Sequence, residues 1–331
     1  MREDASRAFL SRRQFTLLAG ALAAGPSRVF AADAYPSRLV RLIVSSSAGS
    51  SPDAIARLVA EEMSVRMGQQ MLVDNRPGAS TSIGTGAVAR STPDGYTVGY
   101  VTPSLVLNRA IGMPLPFDAE NDLRAVVQMG YQPVMLARGP SRSFQSVAEL
   151  VDFARAHPGD LTYASTGPGS ILHLAAELFA QSTRTRFVHV PYTSAPQATT
   201  DLLGGRIDFM FNAVNALLPN VRAGRLKGLG VSSLTRSVAV PDMPTLDEQG
   251  LDHFEVLTWG GFVVPAGVPR EVVSYLNATA NAALASPAVS RTLTESGYEI
   301  VGGSSARFEA FLRSELDKWS EVVKRSGLKL Q

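Results

Sequence analysis

The chain has 331 residues, of which 45% are hydrophobic and 18% charged, with no cysteine. Since domains usually hold roughly 100–200 residues, this length predicts two lobes. The absence of cysteine excludes disulfides, thiolate metal sites, a cysteine nucleophile and a lipidated N-terminal cysteine. No uninterrupted apolar run approaches the roughly 20 residues of a membrane-spanning helix.

Residues 1–31 have the pattern of a bacterial export signal. Arg12 and Arg13 precede Phe15, an Ala/Gly-rich stretch follows at 17–25, and small residues stand before Ala32. We predict a twin-arginine signal that is removed to leave a periplasmic protein, although an Arg-Arg pair also occurs in general secretory signals. Five of the 31 basic and two of the 29 acidic residues lie in this segment, which leaves 26 against 27. That balance indicates neither nucleic acid nor an anionic membrane as a partner.

Beyond Leu39, short β-rich runs alternate with helical runs, which is typical of an α/β fold. The first set is predicted as strands 40–44, 71–74 and 96–102 with helices 51–67 and 83–90. The second set has helices 147–157, 170–181 and 195–203 with strands 161–164, 187–190, 207–211 and 228–232. A β run at 258–264 and three helices near 269–285, 287–296 and 305–325 close the chain.

Two extended apolar segments, 133–137 and 258–264, bracket the second set of elements. Such a pair predicts two crossovers between lobes, which form a hinge that closes one lobe over a ligand in the cleft. We therefore predict lobe I at 32–137 and 256–331, and lobe II at 138–255.

Several ordered strings resemble those of the Bug or TctC-type extracytoplasmic solute receptors. They are Arg41-Leu42-Ile43-Val44, Asp74-Asn75-Arg76-Pro77-Gly78-Ala79, Pro93-Asp94-Gly95-Tyr96-Thr97, Tyr163-Ala164-Ser165-Thr166-Gly167-Pro168-Gly169, Val190-Pro191-Tyr192 and Asp201-Leu202-Leu203-Gly204-Gly205. The resemblance covers nearly the whole mature chain. It implies a type II periplasmic-binding-protein fold, a ligand such as a di- or tricarboxylate, an acidic amino acid or an aromatic acid or amide, and delivery to a tripartite tricarboxylate-type permease.

Four loops rich in Gly, Ser, Thr and Pro precede helices, at 45–53, 78–84, 165–170 and 192–196. A helix N-terminus offers unpaired N–H groups and a partial positive charge, and open α/β sheets bind ligands beyond their strand ends. These loops therefore predict binding of an anion by backbone amides and hydroxyls. The candidate ligand-binding residues are Ser46, Ala48, Gly49, Ser50, Asp53, Ala79, Ser80, Thr81, Ser165, Thr166, Gly167, Ser170, His173, Tyr192, Thr193, Ser194, Ala195 and Asn212.

Some of these candidates have a purely structural interpretation. Asp53 suits a helix cap as well as a ligand contact, and 165–167 suits an ordinary strand-to-helix connection. The sequence also departs from the family, which usually has Gly-Gly at 49–50, Gly-Gly-Asn at 80–82 and Asp at position 212. Because an aspartate there would pair with an ammonium group, Asn212 suggests a ligand without an α-amino group.

Other functions find less support in the sequence. The string at 84–89 fits the dinucleotide pattern G-x-G-x-x-A, but no ribose-binding acid ends the next strand. The four histidines lack metal-ligand spacing, and no nucleophile–base pair is evident near the loops. We predict a monomeric binding protein without cofactor or metal rather than an enzyme. A receptor that signals to a membrane sensor, instead of feeding a permease, is the alternative.

Overall fold

A computed structural model of the chain describes residues 35–326, so the predicted export signal lies outside the described residues. Within this range the strands are β1 (Val40–Val44), β2 (Met71–Asn75), β3 (Thr97–Val101), β4 (Leu123–Arg138), β5 (Thr162–Ser165), β6 (Val188–Pro191), β7 (Phe209–Ala213), β8 (Lys227–Val231), β9 (Leu257–Pro265) and β10 (Glu299–Ile300). The helices are α1 (Ser51–Met67), α2 (Ser82–Ala89), α3 (Ser104–Ala110), α4 (Val147–Ala156), α5 (Ile171–Thr183), α6 (Ala195–Leu203), α7 (Val214–Arg222), α8 (Arg270–Leu284), α9 (Pro287–Glu295) and α10 (Ser305–Ser326). A 3₁₀ turn, Ala79–Thr81, precedes α2.

The strands follow one another in the order β2-β1-β3-β9-β4-β7-β5-β6, with β8 and β10 also paired to β4. Parallel pairs join β1 to β2 and β3 at one end of this order, and β5 to β6 and β7 at the other. The antiparallel strands β4 and β9 lie between these two groups. Parallel strands with intervening helices match the predicted α/β pattern.

Strand β4 joins the two groups of strands. Its residues 123–133 pair with β9, and its residues 134–138 pair with β7. It is buried along nearly its whole length, which explains why the sequence shows a continuous apolar run there rather than alternation. The two segments predicted as crossovers are thus strand residues of β4 and β9, and the lobe boundaries drawn from them stay a prediction.

Helix α10 packs against elements of both groups, namely α3, β4 and α5. Its Trp319 is fully buried, and Glu315, which is 3% exposed, accepts hydrogen bonds from the indole nitrogens of Trp319 (3.1 Å) and Trp259 (3.0 Å). Lys318 forms an ion pair with the same carboxylate. These contacts offset the cost of burying Glu315 and fix β9 against the C-terminal helix.

The structure contains every strand and helix predicted above, and α6 has the predicted ends. The prediction omitted α3, α7 and β10, and it gave β4 only as the extended segment 133–137. Helix α7 contains Pro219 and directly follows a strand, which disfavours a helix in a reading of the sequence, and α3 is only seven residues long. The described residues hold no helix with the length and hydropathy needed to span a membrane.

Candidate functional site

A cleft of about 570 Å³ lies where strands β4 and β9 meet the helix-preceding loops of both groups. From the β1–β3 group it is lined by Ser46, Ser51, Thr81, Thr102 and Ser104. From the β5–β7 group it is lined by Thr166, Ser170, Ala213, Asn215 and Ala216. From the middle strands and the segment before β10 come Gln132, Thr258, Trp259 and Tyr298. Loops far apart in the sequence therefore surround one volume large enough for a small organic molecule.

Helices α1, α5 and α7 are among those that begin at the cleft, and of these three only α5 has a side-chain cap. The N-cap residues are Ser50 for α1 and Ala213 for α7, and neither accepts a hydrogen bond through its side chain. In α5 the hydroxyl of Ser170 caps the helix by accepting from the His173 amide at 3.3 Å. Uncapped first-turn N–H groups need an acceptor, and the helix dipole favours a negatively charged one. The cleft can therefore hold an anion without a cationic side chain.

Asp53 supports the first loop from behind. It is 3% exposed and accepts hydrogen bonds from the Gly49 amide (2.8 Å), Asn75 Nδ2 (2.8 Å) and Arg57 Nε (3.1 Å). Burial alone would raise the pKa of this carboxyl, but the donors from Arg57, Gly49 and Asn75 outweigh it and hold the pKa below its usual value. The side chain does not border the cleft, and it binds the loop before α1 rather than an N–H of the first helical turn.

The second loop has an unusual backbone. Ala79, Ser80 and Thr81 have φ values of 44°, 48° and 75°, a region that L-residues other than glycine rarely adopt. The Ser80 carbonyl accepts from Asn108 Nδ2 at 2.6 Å, and Thr81 is the member of the turn that lines the cleft. This conformation gives a physical reason for the glycines that the resembling family has at 80–81.

The third loop rests on two stacked imidazole rings. His173 and His189 have ring centroids 4.1 Å apart, and Tyr163 stacks on His189 at 4.9 Å. His173 Nδ1 accepts from the Gly169 amide at 3.0 Å, and His189 Nε2 lies 2.6 Å from Ser165 Oγ. Burial, with a smaller effect of His189, lowers the pKa of His173 to about 4, and burial also lowers the pKa of His189. The neutral rings fix the backbone that presents Thr166 and Ser170.

The Ser165–His189 contact corrects the expectation that no nucleophile–base pair lies near the loops. Its geometry is that of a hydrogen bond, but Ser165 has no exposed surface and does not border the cleft. Its Oγ also accepts from the Gly167 amide at 3.0 Å. The pair is therefore part of the loop's support, because a nucleophile must reach its substrate.

We expect acid to destabilise the protein through the histidine pair. The folded pKa of His173 lies below the unfolded value of 6.5, so the unfolded state binds more protons between these values. The contribution of His173 to the free energy of unfolding is therefore fully present above about pH 6.5 and is lost as the pH falls toward 4. From pH 7 to 5 the unfolding free energy should fall by about 2 kcal/mol. Urea unfolding at several pH values measures this, and His173→Gln should flatten the slope.

His157→Gln provides the control for that series, since His157 is exposed on the surface and its ring lies outside the pair. Its pH profile should follow that of the unmodified protein. An unchanged slope in the His173 variant would contradict the assignment.

The fourth loop and Asn212 do not border the cleft in this structure. The Tyr192 hydroxyl donates to Asp201 Oδ2 at 2.8 Å, and Thr193 donates to Gln197. Asn212 is 5% exposed and uses Oδ1 to accept from the Ala213 amide at 2.8 Å, while its buried Nδ2 has no partner among the described residues. At this position the chain offers a donor, where an aspartate would offer only acceptors.

Of the eighteen predicted ligand-binding residues, the structure places four on the cleft wall, namely Ser46, Thr81, Thr166 and Ser170. The others do not line it, and their contact with a ligand stays a prediction: Ala48, Gly49, Ser50, Asp53, Ala79, Ser80, Ser165, Gly167, His173, Tyr192, Thr193, Ser194, Ala195 and Asn212. Many of these hold the loops in shape through the contacts described above.

Sequence reasoning missed two further strand-to-helix junctions that line the cleft. Thr102 and Ser104 follow β3, and Asn215 follows β7. The rule used for the other loops would have found them, because both stand where a strand ends and a helix begins. Gln132 and Trp259 lie within the middle strands, and their position depends on how β4 and β9 pair.

An α/β fold whose loops surround a cleft with many hydrogen-bond donors defines a ligand-binding protein. Solved periplasmic binding proteins have the same fold. The family model described as tripartite tricarboxylate transporter family receptor, TctC, matches residues 55–328, and the chain belongs to this family of solute receptors. BugT of Bordetella pertussis is 33% identical over 312 residues, which cover 93% of this chain and 95% of BugT.

Two solved relatives were determined with a bound acid. A Rhodopseudomonas palustris protein with adipate is 32% identical with a TM-score of 0.79, covering 89% of this chain and 99% of that chain. MatC from Rhodopseudomonas palustris with bound malate is 27% identical with a TM-score of 0.74, covering 87% and 100%. The predicted family and fold are confirmed, as is the prediction that the chain is a receptor rather than an enzyme. Among the described residues no His, Cys, Asp and Glu cluster suits a metal ion.

Proposed function

We propose that this protein captures a small carboxylate in the cleft between its loops and delivers it to a tripartite tricarboxylate-type permease. The observation that carries the proposal is that α1 and α7 both begin at the cleft with uncapped N-termini. A carboxylate is the acceptor that such donors favour. The adipate and malate bound by relatives are consistent with this class of ligand.

The same proposal includes the cellular location and the movement of the protein. The twin-arginine pattern at 1–31 supports export to the periplasm and removal of that segment. Lobe I, at 32–137 and 256–331, and lobe II, at 138–255, would close over the ligand about the β4 and β9 crossing. A monomer suits this motion, since each lobe must move freely.

The binding energy expected from these groups is adequate for a receptor. Charged hydrogen bonds contribute about 1.5–3 kcal/mol each and a helix terminus about 0.3–1 kcal/mol. A micromolar affinity corresponds to about 8 kcal/mol, so several donors from both groups of loops suffice. No cationic side chain is required.

Filling the cleft should abolish binding. Ala216 is an exposed residue in the first turn of α7 and lines the cleft, so Ala216→Trp should lower carboxylate affinity at least 100-fold without changing the melting temperature of the free protein. The measurement is calorimetric titration of the purified protein, refolded from guanidinium to remove carried-over ligand. A thermal-shift screen of malate, adipate, citrate and aromatic acids comes before the titration and selects the acid. A ligand that binds only the folded state raises the melting point of the protein.

Ala223→Trp is the matched control, because Ala223 is also exposed and lies at the other end of the same helix, away from the cleft. It should bind as the unmodified protein does. Equal affinity in both variants would show that the ligand lies elsewhere. Failure of every acid in the screen would refute the carboxylate assignment.

A further inference from the structure

A second groove, of about 600 Å³, lies at the end of α7 opposite the cleft. Asn215 and Ala216, in the first turn of this helix, line the cleft, whereas Val221 and Arg222, in its last turn, line the second groove. With a rise of about 1.5 Å per residue, the two sites are about 10 Å apart along the helix. Strands β4 and β8 and the segment 239–244 also contribute to this surface, which we name the α7 groove. One short helix therefore connects the ligand site to a second concave surface.

The α7 groove carries more positive than negative charge. Its lining contains Arg138, Arg222 and Lys227, and within residues 35–326 its one acid is Asp242. The side chains of Arg222 and Lys227 are exposed and have no hydrogen-bond or ion-pair partner among the described residues. In the same part of the chain, Arg138 donates only to two backbone carbonyls, and Asp242 forms no ion pair with any of the three cations. No ion pair within the described chain therefore neutralises these cations.

Two of the three cations face each other across a strand pair. Arg138, the last residue of β4, and Lys227, the first residue of β8, are register partners in the antiparallel pairing of these strands. Side chains opposite each other in such a pair lie on the same face with their Cβ atoms about 4.5–5.5 Å apart, and like charges at these positions are destabilising. A carboxylate from another molecule would accept hydrogen bonds from both side chains and remove this repulsion. The pairing of β4 with β8 thus favours an anionic partner.

The apolar part of the groove favours a protein segment over a lipid surface. Leu226 and Val240 are 4% and 9% exposed, and Val221 and Met243 are partly buried beside them. A concave surface with an apolar floor and a charged rim accepts side chains inserted from a polypeptide, as protein interfaces do. The chain beyond residue 31 is also nearly neutral, with 26 basic against 27 acidic residues, so its net charge does not attract it to an anionic membrane.

From these observations we propose that the α7 groove is the docking surface for an acidic segment of the membrane permease. This inference rests on the proposed function and names the surface through which delivery takes place. Carboxylates of the segment would pair with Arg138, Arg222 and Lys227, and its apolar side chains would lie against Leu226 and Val240. Because α7 also begins at the cleft, the docked partner and the bound ligand contact the same helix.

Reversal of charge in the groove should separate delivery from binding. The test variant carries Arg222→Glu together with Lys227→Glu. Both side chains are exposed and outside the cleft, so titration with the acid selected above should give an affinity within twofold of the unmodified protein. Uptake of that acid, radiolabelled, is measured in cells of the source bacterium that lack their own copy of the gene and express the variant. We expect uptake to fall at least tenfold, because two anions would then face the acidic segment.

Arg186→Glu together with Arg291→Glu is the matched control. Both residues are exposed, lack a side-chain partner in the described chain and lie outside the groove, and the pair changes the net charge by the same amount. Uptake with this control should equal uptake with the unmodified protein. The pair Arg222→Gln and Lys227→Gln, which removes the charges without reversing them, repeats the test if the glutamate variant melts early.

The outcomes distinguish this inference from the proposed function. Normal uptake with the folded groove variants, or an equal loss with the control pair, would overturn the inference and leave the proposed function standing. Sedimentation of the unmodified protein with phosphatidylglycerol vesicles, lost in the groove variant, would assign the groove to lipid and also overturn the inference. Undiminished uptake in cells without any copy of the gene would refute delivery itself, and with it the proposed function.

Discussion

Replacing Gly130 by alanine is expected to lower the free energy of unfolding by about 3–4 kcal/mol, which is the upper range for a single overpacked site. An added Cβ would lie 2.1 Å from the Glu299 carbonyl oxygen and 2.6 Å from Tyr298 Cε1. The first of these atoms is backbone and has no rotamer by which to move away. Strand β10, which pairs with β4 at this residue, would have to separate from it.

The Gly130 variant should lose ligand affinity as well as stability. Tyr298 lines the cleft, and its hydroxyl donates to the Gly130 carbonyl at 2.8 Å. Urea unfolding followed by circular dichroism measures the loss, and titration with a bound carboxylate measures the effect on the cleft. Gly204→Ala is the control, because an added Cβ there meets nothing closer than 3.5 Å and φ is −79°. A Gly130 variant as stable as this control would contradict the packing described for β4 and β10.

Asp53→Ala is expected to cost about 3 kcal/mol, since it removes the acceptor of three hydrogen bonds at a buried position. The Gly49 amide and Asn75 would lose their partner, and the loop that carries Ser46 and Ser51 would lose its support. Carboxylate affinity should therefore fall as well, although Asp53 does not line the cleft. Equilibrium unfolding and calorimetric titration measure the two effects separately.

Glu62→Ala supplies the comparison on the same helix. Glu62 pairs with Arg66 at 2.7 Å on the partly exposed face of α1, and such pairs contribute about 0–1 kcal/mol. This variant should bind ligand normally and lose little stability. If the two variants lost equally little stability and affinity, Asp53 would not hold the loop as described.

Much of the site chemistry follows from local sequence. Gly, Ser and Thr between a strand and a helix place backbone donors at the strand ends of an open sheet, and this rule located Ser46, Thr81, Thr166 and Ser170. The same rule could not separate residues that shape a loop from residues that face the cleft. Asp53 and Ser165 are in the predicted loops, but their side chains point to internal partners. Side-chain direction depends on neighbours such as Asn75 and His189, which are distant in sequence.

By itself the sequence determined the alternation of strands and helices, which is carried by residues close together in the chain, and the family of solute receptors, which is carried by short strings in a fixed order along it. Only the tertiary structure decided that Gln132, Trp259 and Tyr298 border the cleft and that no charged side chain of residues 35–326 does. These positions depend on the pairing of β4 with β9 and β10, across more than 120 residues of chain. Periodicity reports which face of an element is buried, whereas strand pairing decides which buried faces meet.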